Sequence, residues 1–313
     1  MATFLTPDKT ISTKNGLTIK QKIIPDSMVA TKNVAAHVKK GQKMKPCKKL
    51  NDGTGKPRGI TIHNTGDLKV ASGTTPAEQY TRATFAGNMS GVVVHYYVYK
   101  TDIWQNLADN ERGWHAADGS SRKKSQRADG SKIGGNMDTI SIECIGNIAE
   151  SEKTTAKLAA YLCYKYDLNP ATDIYTHNYF YAKKKCPIYI IPHWSTFLKN
   201  VKKYYDDLVD DKATSSITTS STTEKKPTTT TKPVATTPVK KEPKIGDIVT
   251  FKGTKHYIGA GSSIGAKCKA GKAKITNIKK GYKHPYHLVR VSGGGSTVHG
   301  WVNAAVYTGQ QFP

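Results

Sequence analysis

The sequence predicts an α/β domain, a mixed β-sheet flanked by helices, joined through a linker to a small all-β domain. Three observations carry this. Apolar residues in the first two thirds alternate between strand and helix periods. A stretch poor in apolar residues then interrupts the chain, and beyond it short β-rich runs are separated by glycines. At 313 residues the chain is long enough for two such domains, each burying a modest core.

The first fifty residues are basic and weakly patterned, and no element is assigned there. "RGITIHNT" (58–65) alternates Ile60 and Ile62 against Thr61 and His63, the period of a half-buried strand. "TTPAEQYTRATFAGN" opens a helix, with Thr75 as N-cap, Pro76 at the first helical position and Glu78 closing a capping box. "GVVVHYYVYKTDIWQNL" reads as two strands around a turn at Lys100–Asp102. "DTISIECIG" puts Ile140, Ile142 and Cys144 on one face and Glu143 on the other. "SEKTTAKLAAYLCYKYDL" and "HWSTFLKNVKKYYDDLV" are amphipathic helices; in the second, Trp194, Phe197, Leu198, Val201 and Leu208 form one stripe. Strands and helices interleaved in this way pack as a mixed sheet with helical cover.

Residues 211–243 are mostly Thr, Ser, Lys and Pro, with no aromatic residue. Such a segment buries too little apolar surface to offset its ordering entropy, so it reads as a flexible linker between domains at 1–210 and 244–313. In the second domain, "GDIVTFKG", "KAKITNI", "HLVRV" and "VHGWVNAAVY" have the spacing of strands in a small SH3-like barrel.

The 48 basic and 23 acidic residues leave a net charge of +25. Of this, +12 lies in 1–210, +3 in 211–243 and +10 in 244–313, where 11 basic residues face 1 acidic. Such a field implies an anionic partner: nucleic acid, an acidic lipid surface, or an anionic polymer such as teichoic acid. No helix-turn-helix signature, RRM-type aromatic motif or zinc-finger spacing supports nucleic acid. No apolar run approaches the length of a membrane span. "MATFLTPDKTISTKNG" lacks an apolar h-region, so no secretory signal peptide is expected. The 5 cysteines are odd in number, irregularly spaced and without a C-x-x-C pair, which argues against a disulfide framework and for a reducing compartment.

A hydrolytic zinc site needs three protein ligands and an open fourth position. It also needs a carboxylate to take the proton of water, and a cation or donor for the oxyanion. The first domain offers a candidate for each part. His63 ends a strand and faces away from its isoleucines, and Glu143 lies opposite the isoleucines of another strand. His177 and Cys186 flank the loop in "THNYFYAKKKCP" (176–187), with Lys184 two residues before the cysteine. Each has a commoner structural explanation: a satisfied histidine, an edge-strand glutamate, a solvated lysine run, a small buried thiol. His193 is an alternative to His177, although it lacks a Lys-x-Cys partner. Spacing alone therefore leaves the zinc site open.

Taken together, "ITIHNT", "VVVHYYV", "GWHAADG", "ISIECIG" and "THNYFYAKKKCP" resemble, in order and over about 58–205, the type 2 N-acetylmuramoyl-L-alanine amidases. That family includes phage endolysins and the peptidoglycan-recognition proteins. The resemblance implies a type 2 amidase-like fold in which His63, His177 and Cys186 bind Zn²⁺. It further implies that Glu143 is the general base, that Lys184 supports the oxyanion, and that Trp114 and His115 line the substrate groove. The reaction implied is cleavage of the amide between N-acetylmuramic acid and L-alanine of peptidoglycan. A non-catalytic recognition protein is the alternative; loss of Glu143 or Cys186 would favour it, and both are present. The C-terminal domain resembles the SH3-like wall-binding modules of lysins, with Tyr257, Tyr286, His287 and Trp301 as a candidate ligand groove. On this resemblance the charge reads as adhesion to peptidoglycan and anionic wall polymers. The missing signal peptide then implies a phage or prophage endolysin, held in the host cytoplasm before lysis and acting on the cell wall of a Gram-positive host.

Overall fold

The computed structural model describes residues 5–66, 70, 72–122, 125–218, 243–257, 259–279, 281–291 and 294–303. The chain divides into two compact units, Met1–Asp211 and Lys212–Pro313.

In the first unit a seven-stranded sheet has the order β1-β2-β5-β4-β8-β3-β9. Its strands are β1 (Lys9–Ser12), β2 (Thr18–Gln21), β3 (Gly59–Thr65), β4 (Tyr96–Tyr99), β5 (Asp102–Gln105), β8 (Thr139–Ile145) and β9 (Ile174–Thr176). A small ribbon, β6 (Ser125–Gln126) and β7 (Lys132–Ile133), stands apart from it. The sheet is mixed: β1–β2 and β4–β5 are antiparallel, while β4–β8, β8–β3 and β3–β9 are parallel. The helices are α1 (Pro76–Phe85), α2 (Gly135–Asp138), α3 (Ala149–Tyr166), α4 (His177–Phe180) and α5 (Trp194–Thr218).

The main core lies between the sheet and two of these helices. Ile60, Ile62, Ile140, Ile142 and Cys144 meet Ala156, Ala159 and Cys163 of α3 and Phe197, Val201 and Tyr205 of α5. The apolar stripe anticipated on α5 is therefore the face it buries. Strand β3 departs from its half-buried expectation, because Thr61 and His63 are as buried as the isoleucines. The cause is its place inside the sheet, between β8 and β9, with the His115 and His177 side chains against His63 on its second face. At α1, Thr75 Oγ1 accepts from the Glu78 amide at 3.1 Å, as the capping pattern predicts. The Glu78 carboxylate instead accepts from the Leu5 amide at 2.6 Å and Arg82 Nε at 3.0 Å.

The unassigned N-terminal segment supplies two strands of the sheet. Strand β2 pairs in parallel with β5, Ile19 opposite Ile103. Beyond it, Ile24, Ala30, Val38 and Met44 build a second apolar cluster with Val93 and Leu107. Lys45, 3 % exposed, pins the wrap by ion pairs at 2.7 Å to both Glu111 and Asp26.

Helix α5 continues to Thr218, past the residue where the linker was expected to begin. No proline or glycine interrupts 211–226, and Lys202–Asp206 and Lys203–Asp207 pairs support the preceding turns. The rest of the expected linker, 219–242, lies outside the described residues.

From residue 243 onward the described residues of the second unit form only strands and their connections, as expected. They form a six-stranded sheet of order β10-β13-β14-β15-β11-β12 in which all pairs are antiparallel. The strands are β10 (Ile248–Phe251), β11 (Lys255–Tyr257), β12 (Gly265–Lys267), β13 (Gly271–Ile278), β14 (Tyr286–Arg290) and β15 (His299–Val302). Val249, Phe251, Ala273, Ile275, Leu288, Val298 and Val302 form its core.

Candidate active site

Strand alternation places the first two groups. Because Ile62 and Ile142 face α3 and α5, the next residues, His63 and Glu143, must face the other way. The two strands are parallel and in register at this pair, so imidazole and carboxylate stand side by side. On the other flank of β3, Ile62 lies opposite Thr176 of β9. Thr176 caps α4 through a 3.1 Å bond from the Tyr179 amide, which makes His177 the first helical residue.

The loop after α4 then folds back on itself. Asn178 Nδ2 donates to Ala182 O at 3.1 Å and Lys184 O at 3.0 Å, while its amide donates to Cys186 O at 2.9 Å. These bonds close the nine-residue interval between His177 and Cys186 and return Lys184 to the site.

His63 Nδ1 lies 3.1 Å from His177 Nδ1 and 3.9 Å from Cys186 Sγ. All three ligand atoms fall within 4.8 Å of one another. Tetrahedral zinc, with Zn–N near 2.0–2.1 Å and Zn–S near 2.3 Å, requires N···N edges of about 3.3 Å and N···S edges of about 3.6 Å. The donor set and its spacing fit that ion. His63 Nε2 is 3.1 Å from His115 Nδ1. For Nδ1 of His63 to present a lone pair, its proton must sit on Nε2, where His115 Nδ1 accepts it.

The electrostatics agree. Burial, reinforced by neighbouring imidazoles, holds His63 and His115 well below the usual histidine range. Burial, with the Lys184 charge, lowers His177 to about 4. These rings are neutral at pH 7, the form that ligates a metal. Burial pushes the Cys186 thiol up to about 11, and Lys184 opposes it; a bound cation would deprotonate such a thiol. Burial likewise raises Glu143 to about 7, again opposed by Lys184. Glu143 is half-buried as a residue, yet its Oε2 is sealed from solvent without a hydrogen-bond partner. A carboxylate left in that condition is costly unless a reactant or ion engages it.

These groups share one cavity of about 410 Å³, whose walls include His63, Trp114, His115, Glu143, His177 and Lys184. Cys186 is 4 % exposed behind the two histidines, and Lys184 is exposed at the rim. Residues 53–189 match the family model for N-acetylmuramoyl-L-alanine amidase. The match lies within the first unit. Two similar proteins are the N-acetylmuramoyl-L-alanine amidases XlyA and CwlH of Bacillus subtilis (strain 168). XlyA is 28% identical over 146 residues, covering 45% of this chain and 43% of XlyA. CwlH is 27% identical over 146 residues, covering 46% and 53%. The chain thus matches about half the length of these curated relatives. Among solved structures, the catalytic domain of XlyA superposes with a TM-score of 0.44 at 24% identity, covering 58% of this chain and 98% of that one.

Within the first unit the rival histidines are accounted for. His193 Nε2 bonds Glu152 at 2.8 Å, so His177 and not His193 joins His63. His95 uses both ring nitrogens, toward Ser141 Oγ at 2.9 Å and Glu111 O at 2.8 Å, and is a structural residue. Four residues of the site were not anticipated. His37, from the unassigned N-terminal segment, lines the cavity and packs edge-on against Trp114 at 5.1 Å. Asn136 Oδ1 accepts from the His115 and Ala116 amides at 2.7 and 2.8 Å and so holds the "WHA" segment in place. Beside it, Gly135 permits close approach: a Cβ there would stand 2.3 Å from Ala116 Cβ. Asn64 ties the end of β3 to Cys144 O and Gly146 O at 2.9 and 3.0 Å, and Cys186 Sγ points at its carbonyl at 3.9 Å. Only the polar pair in "HNT" and the glycine pair in "GGNMD" hinted at these roles.

In the second unit, Tyr257 and Trp301 face each other across β11 and β15, with His287 next to Trp301 on β14. Tyr286 packs instead against the core cluster, so the structure separates it from the other three.

Proposed function

We propose that this chain is a zinc-dependent peptidoglycan hydrolase that cleaves the amide between N-acetylmuramic acid and L-alanine, an endolysin of phage or prophage origin directed at a Gram-positive wall. The observation that carries this reading is the convergence of His63, His177 and Cys186 beside Glu143 and Lys184 in one cavity of an amidase-family domain. His63, His177 and Cys186 would hold Zn²⁺, which when bound makes water more acidic and polarises an amide carbonyl.

The chain's own residues do the rest. Glu143, with a carboxyl raised to about 7, takes the proton of the attacking water and returns it to the leaving amine. Its unpartnered Oε2 is the atom free to do so. Lys184 places an ammonium at the rim, where the carbonyl oxygen gains charge. Cys186 serves as a ligand, because a thiol raised to about 11 is a poor nucleophile. Residues 244–313 are read as an SH3-like wall-binding domain and the preceding segment as its tether, which raises the effective concentration of substrate. Before lysis the protein would reside in the host cytoplasm, and afterwards at the wall.

The test is muralytic assay of purified Gram-positive peptidoglycan, with zinc determined on the same sample. Wild type should hold about one zinc per chain and release new alanine amino groups without new reducing ends. Cys186→Ala should lose both metal and activity. Wall binding by a wild-type protein that holds no zinc and releases no amino groups would identify a recognition module and overturn the catalytic assignments.

A further inference from the structure

Residues 244–313 of the second unit are charged beyond anything they neutralise among themselves, with 11 basic residues against a single carboxylate, Asp247. That carboxylate is engaged in its own turn, accepting from the Lys244 amide at 2.8 Å. Part of the imbalance meets on one sheet face. Lys255 of β11 stands directly opposite Lys267 of β12. Like charges at such a cross-strand pair repel and destabilise the sheet.

Alternation puts Tyr257 on the same face as Lys255, and Tyr257 lies opposite Trp301, which lies opposite His287. The core residues Leu288 and Val302 occupy the alternate positions, on the other face. Lys255 Nζ sits 5.5 Å over the Tyr257 ring, and Lys279 Nζ sits 5.0 Å over the Trp301 ring. Gly265 makes this crowding possible, since a Cβ there would lie 2.7 Å from Lys255 Cε and 3.0 Å from Tyr257 Cδ1. Lys255, Lys267 and Lys279 thus gather around two adjoining aromatic rings that hold two of the ammonium groups in place.

We propose that this face of the second unit binds a linear polyphosphodiester of the poly(glycerol phosphate) type, its phosphates paired with Lys255, Lys267 and Lys279. An anionic chain would turn the Lys255–Lys267 repulsion into attraction, and lysine is a point-charge partner for phosphate. A polymer without bases fits better than nucleic acid. Single strands are held by stacking on exposed aromatic faces, whereas Trp301 is 6 % exposed with Lys279 over its ring. The choice of a wall polymer among base-free polyanions rests on the amidase reading of the first unit.

The experiment uses the full chain and purified poly(glycerol phosphate), with binding measured at low and moderate salt. Lys255→Gln/Lys267→Gln/Lys279→Gln should weaken binding by at least about tenfold and flatten its salt dependence. The charge-matched control Lys244→Gln/Lys252→Gln/Lys272→Gln, at the β10–β13 end of the sheet, should weaken it less than about threefold. Because the face variant relieves repulsion, its thermal midpoint at low salt should equal or exceed that of wild type, which separates lost binding from lost folding. Equal weakening in both variants would overturn the site in favour of diffuse charge. So would tighter binding of single-stranded DNA than of poly(glycerol phosphate) through the same three lysines. Cleavage is read separately, as alanine amino groups released from polymer-free peptidoglycan. Its absence, with binding still lost only in the face variant, would reject the amidase reading and leave the anion site standing.

Discussion

Glu143 is held in two conditions that oppose each other: it must be ionised to act as a base, and its surroundings resist ionisation. Burial raises its carboxyl from the ordinary range to about 7. A carboxyl raised on folding binds its proton more tightly in the native state. Its contribution to stability is complete below the unfolded value and is lost as pH rises through about 7. In the metal-free protein, Glu143→Gln should therefore leave stability at pH 4 unchanged and raise it at pH 8 by about 1–3 kcal/mol. Denaturant titrations at the two pH values check this. The same variant should lower turnover by roughly 10²–10⁴-fold, the usual contribution of a positioned base. His115 acts at one remove, through His63. His115→Ala should weaken zinc affinity by about 10–100-fold in a chelator competition. His115→Asn, which keeps a short acceptor, should recover part of that loss. A groove residue with no bond to His63 would leave metal affinity unchanged in both.

At the scale of elements, the N-terminal wrap shows why the cavity is a cavity. It supplies His37 and the cluster under Val93, and the buried Lys45 anchors it to Glu111. Removing one partner of a buried pair leaves the other charge stranded, so Lys45→Ala should cost about 3 kcal/mol. Chemical denaturation of the full chain, following tryptophan fluorescence, measures it. Strand β8 was legible as a strand because its isoleucines alternate with Glu143 and Ser141. Strands β1 and β2 were not, since four-residue strands such as "KTIS" and "TIKQ" are too short for a period to emerge from their lysines. The loop from His177 to Cys186 was legible as a motif but not as a geometry. Its closure depends on Asn178 bonding to Lys184 and Cys186, which composition does not reveal.

For the molecule as a whole, the charge should divide binding from chemistry. The field of a +25 chain acts over about the Debye length, near 10 Å at 0.1 M salt. Adsorption to whole cell walls should therefore fall steeply between low and moderate salt, while cleavage of a small soluble muropeptide should change far less. Parallel loss of both would mean that wall adhesion and catalysis depend on the same cations. Composition located that charge in advance, since counting needs no coordinates. It could not show that Lys255 and Lys267 meet across two strands, because that depends on register.

The sequence by itself determined the local facts: strand and helix periods, the Thr75 cap, the excess of cations, and the residue types able to hold zinc. Those follow from neighbours within a few positions, where sterics and side-chain spacing leave few choices. Tertiary structure decided which histidine joins His63, that His115 Nδ1 stands within hydrogen-bond reach of His63 Nε2, and that Glu143 Oε2 is buried without a partner. It also decided that an unpatterned N-terminus closes the cavity. Each of these depends on contacts between residues tens of positions apart. There the outcome is set by which buried polar groups are satisfied and which are left for a ligand.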